Sequence, residues 1–246
     1  MGNLQPTRRR RALWIVRRLA LVVGAGLVLV AVVCTLYLVT LRSVSDAPSR
    51  VRAILAQHHE PTAPLPAPGR LVAAVVSTED EHFYANVVVN VLTGAGRAAL
   101  AALRTEGDPG GSTIQQQLAK TLYGREASVT GALREIGLGV KLGLAYSKRE
   151  ILRMYLNSVY YGNGYWGVLA AARGYFHTAP ADLTWGEAAM LAGLLQAPSA
   201  YDPVTNYALG RDRQHHVLSQ LVVNHYLTRA QADAAFAAGL PLRRGG

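Results

Sequence analysis

The chain has 246 residues, enough for one sizeable domain with a real core plus accessory segments. A single cysteine, Cys34, excludes a disulfide framework and a cysteine-based metal site, and the seven histidines show no metal-ligand spacing. The formal charge of +10 is uneven: six arginines and no acid fall in residues 1–18, leaving 19 basic against 15 acidic residues elsewhere, a net +4. The high pI is therefore partly a property of the tail and does not mark a nucleic-acid partner.

The arginines (Arg8, Arg9, Arg10, Arg11, Arg17, Arg18) precede LALVVGAGLVLVAVVCTLYLVTL, an uncharged run over residues 19–41. About 20 such residues cross a bilayer as a helix. A cleaved signal peptide is the competing reading, but its apolar core runs only about 7–15 residues. Residues 1–18 thus read as a basic cytoplasmic tail and 19–41 as a transmembrane helix, with the chain beyond about residue 45 outside the cell membrane. Residues 42–69 read as a polar and Pro-rich linker, because four prolines fall between Pro61 and Gly69. The main domain is expected over 70–246.

That domain reads as helices. Leu71–Phe83 reads as a helix, apolar and then acidic, ending STEDEHF. Ser147-Lys148-Arg149-Glu150 is a capping box that opens a helix carrying Ile151, Met154 and Tyr155 on one face. Thr184-Trp185-Gly186-Glu187 opens another helix, closed before Pro198, and Thr228-Arg229-Ala230-Gln231 opens a third, ended by Gly239 and Pro241. Val87–Val91 (VVVNV) is ambiguous between strand and helix. The expected fold class is all-α.

Between these elements lies GGSTIQQQLAK, residues 110–120. The glycines permit a tight turn, and Ser112 or Thr113 can cap a helix whose free N–H groups favour an anion. Lys120 adds a cation, while Gln116 and Gln117 suit sugar hydroxyls, amides or phosphate. Upstream, Glu79 emerges where an apolar helix leaves the core, which suits an acid or base. Downstream, Glu135 is the only acid between Glu126 and Glu150 and shares its stretch with Leu133, Ile136 and Val140.

Taken in order, these pieces resemble the peptidoglycan glycosyltransferases, glycosyltransferase family 51, found in class A penicillin-binding proteins and monofunctional transglycosylases. The resemblance covers about Arg70 to Leu240. The family's E-D-x-x-F-x-x-H-x-G falls on Glu79, Asp80 and Phe83, with Asn86 and Val88 in place of the histidine and glycine. G-G-S-T-x-T-Q-Q-x-x-K falls on Gly110, Gly111, Ser112, Thr113, Gln116, Gln117 and Lys120, with Gln115 for a threonine. R-K-x-x-E keeps Glu135 but has Gly131 and Ala132 for its basic pair, with Arg125 and Arg134 nearby. K-x-x-I-x-x-x-Y-x-N is intact at Lys148, Ile151, Tyr155 and Asn157. R-R-x-x-V-L keeps Arg213, Val217 and Leu218, with Gln214 for an arginine.

The resemblance implies a lysozyme-like, two-lobed helical fold, with 87–103 near the membrane surface. It implies an enzyme that joins lipid II to a lipid-linked glycan chain with inversion, releasing the lipid pyrophosphate. Glu79 would be the general base. Ser112, Thr113, Gln116, Gln117, Lys120, Arg125, Arg134, Lys148, Tyr155 and Asn157 would bind substrate. Glu135 would orient the cations or a divalent ion, magnesium or manganese, and no other cofactor is implied. The setting would be the bacterial inner membrane, with other cell-wall synthases as partners. The departures leave two alternatives: an inactive relative that binds lipid II or scaffolds wall synthesis, and a lysozyme-like glycan-cleaving enzyme. The chain holds no S-x-x-K, S-D-N or K-T-G set, so an attached transpeptidase is not expected.

Overall fold

The computed structural model describes residues 6–63, 69–85, 90 and 112–242, with side chains from residue 13 onward. The chain divides into two compact units, Met1–Arg42 and Ser43–Gly246. The ambiguous VVVNV stretch lies outside the described residues apart from Asn90, and so does the segment 91–103.

The first unit is helix α1, Pro6–Thr40. Its apolar part, Leu13–Thr40, spans 28 residues and is long enough to cross a bilayer. The basic tail is not a separate segment: the helix runs on through the arginines. The Arg18 guanidinium lies 3.9 Å from the Trp14 ring centroid. The threonine hydroxyls in the apolar stretch are satisfied within the helix, Thr35 donating to the Ala31 carbonyl and Thr40 to that of Tyr37.

The second unit begins with α2, Ala47–Gln57. This corrects the linker expected over 42–69. Ala47, Val51 and Leu55 form a buried stripe at intervals of four, which the surrounding polar residues hide in the sequence. Asp46 fastens the start of α2: Arg50 Nε donates to it at 2.7 Å and the Tyr123 hydroxyl at 2.9 Å. Tyr146 donates to the Val44 carbonyl.

Helix α3, Arg70–Glu79, is buried from Leu71 to Ser77. It stops four residues short of Phe83 because Asp80 turns extended and its carboxylate is used elsewhere. Helix α4 is Ile114–Tyr123, α5 Val129–Ala145, α6 Lys148–Ser158, α7 Gly167–Phe176, α8 Trp185–Leu194, α9 Tyr207–Val223 and α10 Arg229–Ala237. The expected capping box at Ser147 forms, and the helices expected to open at Thr184 and Thr228 do so with capping boxes as well. Each cap of this kind contributes about 1 kcal/mol. Among the described residues there is no strand, only an isolated bridge between Tyr160 and Trp166. The all-α expectation holds.

Two groups of helices result. In one, α8, buried from Gly186 to Leu194, packs against α3 and α9, and α10 packs on α9. In the other, α4 packs on α5 and α6, and α6 on α2 and α7. Close approach is bought with glycine at α4–α5, where a Cβ at Gly139 would lie 3.1 Å from Gln116 Cγ. Gly167, at φ +76°, starts α7 where a Cβ would meet the Asn157 carbonyl at 3.0 Å.

Candidate active site

A cleft of about 1170 Å³ draws its walls from both groups of helices. Helix α3 is driven into the core by its apolar residues, and its last turn delivers Glu79 to the cleft. That side chain is only 10 % exposed. Gln117 Nε2 on α4 donates to Glu79 Oε2 at 2.9 Å. Arg213 Nη2 on α9 lies 3.8 Å from Glu79 Oε1. Arg213 reaches across α8 because Gly193 leaves room; a Cβ there would sit 2.9 Å from Arg213 Cγ. Behind Gln117, the Tyr155 hydroxyl on α6 donates to Gln117 Oε1 at 2.5 Å. Burial, with the Glu79 charge next and then Tyr161, holds the Tyr155 pKa well above the ordinary phenol value, so the hydroxyl stays a donor.

Further along α4 the lining carries more cations. Lys120, one turn beyond Gln117 on α4, donates to Ser112 Oγ at 3.3 Å and faces Glu135 Oε2 at 3.6 Å. Its place in the last turn of α4 suits a positive charge. Arg125 lines the same cleft and is exposed. At another part of the lining, His58 and Trp166 stack with ring centroids 4.2 Å apart, and Tyr160 leans on Trp166 at 5.2 Å. His216 on α9 also lines the cleft. Burial, then Arg213 and His215, lower its pKa below the ordinary imidazole value.

Of the residues expected from sequence to form the site, the structure therefore brings together Glu79, Ser112, Gln117, Lys120, Arg125, Glu135 and Tyr155. Five others have different work. Thr113, 1 % exposed, is the N-cap of α4, and Gln116 is its reciprocal partner: Thr113 N donates to Gln116 Oε1 at 2.8 Å and Gln116 N to Thr113 Oγ1 at 3.3 Å. Lys148 donates to the Phe83 carbonyl and lies over the Phe83 ring, 4.6 Å from its centroid. Burial lowers the Lys148 pKa, and Asp80 opposes that shift. Asn157 is buried and ties the chain at Ala63 by accepting from its N–H and donating to its carbonyl. Arg134 is exposed on α5 and does not line the cleft.

The expected anion site at the start of α4 is also corrected. The helix N-terminus already holds an anion, the carboxylate of Asp80, which accepts from Ile114 N at 3.1 Å and from Asn90 Nδ2 at 3.0 and 2.9 Å. Asp80 is 3 % exposed. The three consecutive glutamines thus divide: Gln117 faces the cleft, Gln116 caps its helix, and Gln115 is fully buried with neither amide atom hydrogen-bonded among the described residues.

Sequence reasoning missed Arg213 as a site residue although it matched a motif, because nothing in the chain signals that α9 crosses α8 beside Glu79. It also missed His58, Tyr160, Trp166 and His216. In Gln214 the structure supplies a reason for a departure: its amide donates to the Gly186 carbonyl at 2.7 Å and accepts from Arg211 at 2.6 Å, locking α9 to α8. Gly131 supplies another. A Cβ there would lie 2.3 Å from the Glu126 carbonyl oxygen, so the turn before α5 has no space for a basic side chain.

The described residues of Ser43–Gly246 thus form a helical unit whose cleft gathers a shielded carboxylate, amides and cations. The chain belongs to the transglycosylase family, glycosyltransferase family 51: the family model described as Transglycosylase matches residues 49–222. The match includes α2, in keeping with its packing on α6. A putative transglycosylase of Cupriavidus necator is 40 % identical over 177 residues, covering 72 % of this chain and 76 % of that one. Penicillin-binding protein 2a of Streptococcus pneumoniae is 39 % identical over 163 residues, or 66 % of this chain and 22 % of that protein. The crystal structure of penicillin-binding protein 1A from Haemophilus influenzae matches 53 % of this chain and 16 % of its own, at 30 % identity and a TM-score of 0.38. The chain thus spans about a fifth of the length of the penicillin-binding proteins it matches.

Proposed function

We infer that this protein polymerises lipid II into β-1,4 glycan strands while anchored in the bacterial inner membrane by α1. The arginines before the apolar stretch favour a cytoplasmic N-terminus, which leaves Ser43–Gly246 outside. A tether of this kind keeps the enzyme with substrates that are themselves confined to the bilayer.

The observation that carries the reading is Glu79, shielded in the cleft and held by Gln117 and Arg213. In this reading its carboxylate accepts the proton of the acceptor sugar's 4-hydroxyl as that oxygen attacks the donor's anomeric carbon. The bond to the lipid pyrophosphate breaks with inversion. Negative charge grows on the departing pyrophosphate, and Lys120, Ser112 and Arg125 in the same cleft meet it. Glu135 steadies Lys120 without cancelling it, at 3.6 Å and 14 % exposure. Among the described residues no three His, Cys, Asp or Glu side chains converge on a point that could hold a metal ion, and Glu135 already faces an ammonium. The residues do not fit a protein-held divalent ion, and no step is assigned to one.

A second reading rests on the third motif. Its basic pair is absent, Arg134 is exposed and does not line the cleft, and Gly131 has no space for a replacement. On that basis the chain would bind lipid II without turning it over. Incubating the full-length protein with lipid II separates the two: glycan strands support the enzyme, saturable binding without product supports the binder, and shortening of pre-formed strands supports a glycan-cleaving activity instead.

A further inference from the structure

The geometry points to Tyr155 as a positioning residue that sets the orientation of the Gln117 amide and through it keeps Glu79 ionised. The inference rests on Glu79 serving as the base in the proposed reaction. Three elements meet in one line: Tyr155 Oη on α6 donates to Gln117 Oε1 at 2.5 Å, and Gln117 Nε2 on α4 donates to Glu79 Oε2 at 2.9 Å, at the end of α3.

An amide has one accepting and one donating end, and a carboxylate only accepts. With Glu79 ionised, the NH₂ of Gln117 must face it, the carbonyl must face Tyr155, and the phenol must donate. With Glu79 protonated, the amide can turn over and accept from the acid, but the phenol hydrogen then loses the carbonyl it is aimed at. Tyr155 is 1 % exposed, so water does not readily replace that partner. The phenol therefore favours the arrangement that hydrogen-bonds the carboxylate, and bonds in series polarise one another. A donor aimed at the charged form lowers a carboxyl pKa, so removing the hydroxyl raises that of Glu79.

Other charges act on the same carboxylate and stay in place when Tyr155 is changed. Arg213 of α9 lies 3.8 Å away, and His216 of α9, Lys120 of α4 and Arg125 line the same cleft. Asp80 next in the chain is engaged by Asn90 and Ile114 N. Glu187, the sole titratable side chain of α8, is held in its own capping box.

The test is the pH profile of lipid II polymerisation by the full-length protein. In Tyr155→Phe the acid limb is expected to move up by about 0.5–1 pH unit. Gln117→Leu should move it at least as far, and Tyr155→Phe added to Gln117→Leu should move it no further. A uniform drop in rate at every pH, or a second shift in the double variant, overturns the inference. The carboxyl ¹³C titration of Glu79 in nanodiscs reads the same quantity without turnover. A midpoint raised by Tyr155→Phe in a chain that makes no polymer would sustain the positioning role and sink the enzyme reading. An unmoved midpoint in a chain that does polymerise would sink the positioning role alone.

Discussion

Glu79 is 10 % exposed, with an amide donor on one carboxylate oxygen and a guanidinium near the other. Elsewhere in the lining, one turn beyond Gln117 on α4, Lys120 is 30 % exposed, and the nearest oxygen of its carboxylate neighbour, on Glu135, is 3.6 Å away. One part of the lining is assembled before substrate arrives. The other keeps its cations loosely held, so that little must be broken when an anion takes their place. The difference fits a reaction in which a proton acceptor needs a fixed position from the start, while charge on a leaving group appears only as the bond breaks.

Substitutions in each part should separate the two roles. Glu79→Gln keeps the shape and removes the base; the rate of glycan polymerisation is expected to fall by about 10²–10⁴-fold. Lys120→Ala is expected to cost about 10- to 100-fold in kcat/KM, measured with lipid II, and Lys120→Arg should recover part of it. If Lys120→Ala costs as much as Glu79→Gln and leaves lipid II binding unchanged, the contrast between the two parts is wrong. Glu135→Gln frees Lys120 from a partner without moving it and should cost about 10-fold or less on the same assay. The smallest effect belongs behind the assembled part. Gln115→Met replaces a buried amide with no hydrogen-bond partner among the described residues by an apolar side chain of similar length, and should stabilise the fold by about 1–2 kcal/mol, read as a higher Tm. A lower Tm there would mean that the amide has a partner in the folded protein.

The local grammar of the helices was legible in the sequence because caps act over three residues. Ser147 with Glu150, Thr184 with Glu187 and Thr228 with Gln231 could be read without tertiary information. The division of labour within QQQ could not. Adjacent helical residues point about 100° apart, and which direction is core, cap or cleft depends on where α3 and α5 lie. The same limit applies to Lys148 and Asn157. A recurring motif preserves residues that hold the frame as readily as residues that touch substrate, and these two hold Phe83 and Ala63. Helix α2 was hidden for a simpler reason: three buried positions among arginines and a proline do not outweigh the polar average. Arg213 required knowing that two helices cross at Gly193.

The crowding at Gly131 limits how the groove can be re-engineered. Any side chain at that position would collide with the carbonyl of residue 126, so no single substitution there can add a cation without moving that turn. The backbone between Gly124 and Ser128 would have to be rebuilt first. A further positive charge is more readily introduced at another position along the groove.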